Sequence, residues 1–188
     1  MGEPTVELRS EGYTGSRLEG RMREEGRFDM TSNTYFSFDC ERDSWRAAQI
    51  RNGWMKSETR LRGFCDAEVW GSIGDDGIAG EIDRRLAQTS VTVVLVGAET
   101  SRRNYVGFEI RRSHEIGIRM FGIFIHNMKD ENGRTDTWGE NPFASWSCPK
   151  FGETVLLSQI YPVPYDWVKH NGSENIAAWI REAAWKGV

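Results

Sequence analysis

A carboxylate beside an aromatic ring at the mouth of a crevice can accept hydrogen bonds from ribose hydroxyls and stabilise developing positive charge. Glu109 and Tyr105 have the spacing for it, because residues four apart on a helix lie one turn above one another and Tyr105 is on the side nearer the helix start. On the same helix Val106, Ile110, Ser113 and Gly117 share one face, so a rotation of about 100° per residue sets Glu109 on the flank of the packing stripe, bordering the core without entering it. The helix N-terminal dipole is expected to favour its charged form. Further candidates follow strands: Ser37, Phe38 and Asp39, then Asp66 to Trp70, then His126 with Asn127. Each has a plainer alternative. Phe38 and Trp70 serve as core aromatics or as stacking surfaces for a base, and Ser37 and Asp39 serve as ligand contacts or as caps of the next helix or turn. His126 has no partnered Ser or Cys motif and is not read as a catalyst. Arg102, Arg103, Arg111 and Arg112 make a basic helix, read first as a solvated face. The glycine-rich Gly71-Ser72-Ile73-Gly74-Asp75-Asp76-Gly77 lacks the Lys-Ser/Thr ending of a phosphate loop.

These positions depend on strands that alternate with helices. Thr34 to Phe38 reads as strand one, and Asp43 through Met55 as a helix with Asp43 as its N-cap. Gly63 to Ala67 is a short second strand, and Ile78, Ile82 and Leu86 mark a second helix. Ser90 to Gly97, a continuous β-branched run, is expected at the centre of a parallel sheet, buried on both faces. A helix from about Arg102 to Gly117 leads to a fourth strand, Met120 to Ile125. Val155-Leu156-Leu157 is expected to begin a fifth, and a closing helix starts behind Ser173 as N-cap. The polar stretch His126 to Gly152 is too long for a routine connection and is a candidate site lining. The alternation predicts an α/β, flavodoxin-like three-layer sandwich with a central parallel sheet of about five strands, whose ligands bind at the carboxyl ends of the strands.

Residues 1–32 mix Glu, Arg and Gly with few apolar positions and are read as a flexible or weakly docked extension of a domain spanning 33–188 with a C-terminal helical elaboration. The 188 residues suit one core. Eight Trp residues supply large surfaces to bury or stack. A net charge of -4 offers no general attraction to nucleic acid, and the apolar runs are too short to cross a bilayer. Three widely spaced cysteines form no metal-ligand pattern, so no metal is expected and a reducing, cytoplasmic location fits.

Several segments together resemble the bacterial TIR-like domains of Thoeris anti-phage defence: Phe36-Ser37-Phe38, Trp45 to Trp54 with Arg51-Asn52, and Phe64-Cys65-Asp66-Ala67 with Trp70. So do Thr89 to Thr100, Phe108-Glu109-Ile110, and Gly122 to Asp130. The resemblance runs over roughly residues 34–143. It implies a TIR fold and an enzyme that splits NAD, as substrate rather than cofactor, into nicotinamide and an ADP-ribose product, often a cyclic signal reaching an effector protein. The aromatic-Glu-Ile step makes Glu109 the implied catalytic residue, with Ser37, Phe38, Asp39, Asp66, Trp70 and Tyr105 as candidate NAD contacts. Self-association is implied as well. Where relatives usually carry Arg-Arg-Trp-Val, this chain has Arg103-Asn104-Tyr105-Val106, a departure at the substrate grip. The alternatives are a TIR-like sensing or interaction module without chemistry, and a flavodoxin-like carrier, for which no flavin-loop pattern is present.

Overall fold

The computed structural model describes residues 34–54, 62–63, 75–150 and 152–185; the expectations for residues 1–32, Asp66 and Trp70 lie outside them. Strand β1 (Thr34–Ser37) leads into helix α1 (Cys40–Trp54), and β2 (Arg62–Gly63) precedes α2 (Asp75–Leu86). Next come β3 (Val91–Val96), α3 (Asn104–Glu115) and β4 (Arg119–Phe124). A hairpin of β5 (Ser147–Lys150) and β6 (Glu153–Leu156), a short β7 (Tyr165–Asp166) and α4 (Gly172–Trp185) complete the chain.

The sheet runs β2-β1-β3-β4-β7 with every neighbouring pair parallel, so β3 is central, as its unbroken burial requires. The order reverses between β1 and β3. Their crossovers leave on opposite sides, which opens the crevice of a doubly wound sheet at the carboxyl ends of these two strands. Alternation then sorts the side chains into two layers. Phe36, Val91, Val93, Leu95, Phe121 and Ile123 pack against Ala47 and Ile50 of α1 and Ile176, Trp179 and Ile180 of α4. On the other face Val94, Val96, Met120 and Phe124 meet Val106 and Ile110 of α3, while Tyr35 meets Ile78, Ile82 and Leu86 of α2. The α/β three-layer class stands.

Three local expectations are corrected. Asp39, not Asp43, caps α1: its Oδ1 accepts from the amides of Glu41 at 3.1 Å and Arg42 at 3.4 Å. Asp43 instead lies inside the helix, buried and paired with Arg46 Nη1 at 2.8 Å. The run Val155 to Leu157 does not join the main sheet, because Glu153–Leu156 pairs antiparallel with Ser147–Lys150 in a separate hairpin; Tyr165–Asp166 takes the place beside β4. Cys40 is disulfide-bonded, against the expectation of reduced thiols, while Cys148 is free.

The long stretch after β4 is pinned rather than loose. Arg42 donates to both carboxylate oxygens of Asp136 at 2.9 and 3.0 Å, and Arg46 donates to the carbonyls of Met128 and Arg134 at 3.0 and 3.3 Å. Further on, Gly139 lies so close to the Gly97 carbonyl that a Cβ there would stand 1.8 Å from it. The stretch is thereby folded back over the carboxyl end of β3. Among the described residues no helix is long and apolar enough to cross a membrane.

Candidate active site

Tyr35 and Ser37 are two apart on β1, so both point to the α2 and α3 side of the sheet. Glu109 on α3 meets them there. The Tyr35 hydroxyl donates to Glu109 Oε1, and the Ser37 hydroxyl donates to Oε2 at 2.5 Å. Both carboxylate oxygens are thus held by hydroxyls of one strand. Glu109 is only 4% exposed, which corrects the expectation that it borders the core without entering it. The physical reason lies in the helix phase: Glu109 stands next to Ser113 in projection, at the edge of the arc that Ser113, Val106, Ile110 and Gly107 bury, so the inward face of α3 is wide enough to include it.

Burial also reverses the expected charge preference. It pushes the Glu109 carboxyl from the usual carboxylate range up to about 7, against the hydrogen bonds of Ser37 and Tyr35 and the positive charge of Arg85, which pull the other way. Tyr35 is pushed well above its ordinary value, first by burial and then by the neighbouring Glu109, so it stays a hydroxyl donor across neutral pH. The result is a carboxyl that changes charge near neutrality while fixed in orientation by two donors.

The remaining candidates divide. Asp39, 2% exposed, caps α1 through Oδ1 and accepts from Arg103 Nε at 2.8 Å through Oδ2, which ties the end of β1 to the residue before α3. Its capping alternative is therefore realised. Phe38 faces the opposite layer, partly buried against the α1 and α4 core. Tyr105 lies on the exposed side of α3, 41% accessible, and is not brought to the Glu109 carboxylate by any described contact. Among the described residues, Ser37 alone of the proposed contacts touches Glu109. Tyr35 was missed by the sequence reading, although the two-residue period of a strand that delivers Ser37 delivers Tyr35 to the same face. Among the described residues no three His, Cys, Asp or Glu side chains stand together as metal ligands.

A parallel 2-1-3-4 order with a buried glutamate on the helix after the central strand defines a doubly wound α/β domain with a polar site beside its switch point. The family model described as the TIR-like domain of the Thoeris protein ThsB matches residues 35–130, half of the chain. The chain belongs to this ThsB TIR-like family. Over 192 aligned positions it is 28% identical to a Bacillus cereus (strain MSX-D12) protein named "Putative cyclic ADP-D-ribose synthase ThsB1", covering 80% of this chain and 100% of that one.

Proposed function

We propose that this protein cleaves the nicotinamide bond of NAD and passes the ADP-ribose portion to a hydroxyl, yielding an ADP-ribose-derived signal, with Glu109 as the catalytic carboxylate. The observation that carries the reading is the buried Glu109, oriented by Tyr35 and Ser37 beside the β1–β3 switch point. The printed name of the Bacillus cereus relative supports the same chemistry.

Breaking the bond between nicotinamide and ribose leaves an oxocarbenium-like sugar, and nicotinamide departs as a neutral molecule with the bonding electrons. No general acid is needed. A carboxylate in a water-poor site stabilises the positive sugar far more than it would in water, and its ionised oxygens accept from the ribose hydroxyls. If the acceptor is water, ADP-ribose and a proton form; an adenosine ribose hydroxyl gives a cyclic product. Glu109 is the only residue asked to change charge, and Tyr35 and Ser37 keep its oxygens in place.

A second reading, a module that binds nucleotide without turnover, is favoured by one feature: both oxygens of Glu109 already have internal partners. The two readings separate when concentrated wild-type protein and Glu109→Gln are incubated with NAD and all products are measured. The enzyme reading expects nicotinamide release that falls by about 100-fold or more in the variant. No release from either protein favours the binding module, whereas equal release from both would remove Glu109 from the catalytic role.

A further inference from the structure

Helix α2 brings a cation to the Tyr35 side of the sheet. Arg85 follows Ile78 by seven residues, so the two lie about 20° apart in projection, on the face that packs against Tyr35. Its side chain is 17% exposed, against 62% for the neighbouring Arg84. Arg85 is thus the inward member of the pair. The Tyr35 hydroxyl on that side donates to Glu109.

One carboxylate holds both arginines. Arg84 donates to Glu81 through Nε at 2.7 Å and Nη2 at 2.6 Å, and Arg85 donates to it through Nε at 2.6 Å. Two positive charges on one negative leave the trio with a net charge of +1. The bonds from Arg84 first, and then from Arg85, hold the Glu81 carboxyl at about 2, so the trio stays charged throughout the range in which Glu109 titrates.

The guanidiniums of α3 and its approach are turned elsewhere. Arg103 is bonded to Asp39 and Glu41, Arg111 lies 4.4 Å from the Trp146 ring centroid, and Arg112 is paired with Asp83 and Glu115. Among the described residues, the charged or titratable groups that face Glu109 are therefore Tyr35 from β1 and Arg85 from α2, with Glu81 behind Arg85. Burial is the largest influence on Glu109 and on Tyr35 alike, and against it the charge of Arg85 favours the ionised form of each. In a pocket poor in water such a charge acts over a longer range than in solution.

Resting on the NAD-cleaving reading, we propose that Arg85 is a positioning residue for the reaction: carried inward by α2 and fixed by Glu81, it supplies the positive charge against which the buried Glu109 acts as an anion. Glu81 sets how much of that charge reaches the site, because its carboxylate opposes Arg85 from the same helix. Removing Arg85 and removing Glu81 must then act on Glu109 in opposite senses.

The test uses the full chain with carbon-13 in the glutamate carboxyls, titrated by NMR from pH 5 to 9, the Glu109 signal being identified by its loss in Glu109→Gln. Rates of NAD cleavage are measured over the same range. In Arg85→Gln the Glu109 titration should move to higher pH by about half a unit, taking the acid limb of the rate with it and costing about threefold at pH 6. Arg85→Lys, which keeps the charge, should stay near wild type, and Glu81→Gln should move the titration to lower pH. Glu81→Gln and Arg85→Lys carry the test should Arg85→Gln fail to fold. An unmoved Glu109 titration in Arg85→Gln, or a shift in the same direction in Arg85→Gln and Glu81→Gln, would overturn the assignment, since lost packing has no reason to change sign. Should the carboxyl respond in opposite senses while wild type never cleaves NAD, the catalytic reading falls and the pairing of Arg85 with Glu109 stands.

Discussion

Ser37 Oγ donates to Glu109 Oε2 across 2.5 Å, closing the first strand of the sheet onto the helix that follows the central one. Tyr35 closes the same carboxylate from the other oxygen. Two residues of β1 thus decide where a carboxylate 72 positions later in sequence points, and how readily it ionises.

This arrangement predicts an acid limb in the rate of NAD cleavage. With the Glu109 carboxyl at about 7, kcat/KM should fall about tenfold per pH unit below neutrality and level off above it. Ser37→Ala removes a donor that favours the ionised form, so the limb should move to higher pH by about one unit, and Tyr35→Phe should move it in the same direction. Initial rates from pH 5.5 to 9.5 provide the check. A uniform loss at every pH, with the limb unmoved, would mean that the two hydroxyls serve packing alone.

Glu109→Gln should stabilise the fold at alkaline pH. The folded carboxyl titrates at about 7 and the unfolded one near 4.5, so the folded state holds its proton longer. Below 4.5 both states are protonated and the contribution of this group to stability is greatest. Between 4.5 and 7 the unfolded chain alone has lost the proton, and stability declines by about 3 kcal/mol in all before flattening above 7. The glutamine variant escapes that decline. Urea unfolding at pH 4.5 and pH 8 should show a gain over wild type at pH 8 that largely vanishes at pH 4.5.

Asp39→Ala should weaken the fold. It deletes the cap of α1 and the partner of Arg103, for a loss of about 2 kcal/mol, with the half-exposed Arg103 pair supplying the smaller share. Asp39→Asn retains the cap and should recover most of the loss. Urea midpoints of the two variants decide it.

Much of this was legible in the chain. The β-branched run 91–96 could be satisfied only at the centre of a parallel sheet, and the stripe of Ile78, Ile82 and Leu86 is buried as its spacing required. Glu109 came from the Phe108-Glu109-Ile110 resemblance; helical phase placed it near the packing face but underestimated how wide that face is. Burial by several elements is a tertiary quantity, and the local pattern of one helix does not contain it. The same limit explains Val155 to Leu157, whose β-forming residues specify a strand without specifying a partner. Asp39 and Asp43 compete for one cap four residues apart, and only the path of the chain out of β1 decides between them.

The half-titrated Glu109 makes ligand binding a source of protons. At pH 7 about half of the molecules carry a proton on that carboxyl, and a ligand that requires the anion must expel it. Each binding event then delivers about half a proton to the medium on average, so the heat measured in a buffer with a large ionisation enthalpy should differ from that in phosphate. On the proposed NAD-cleaving reading, the domain acidifies its surroundings as it binds that substrate, before any bond is broken.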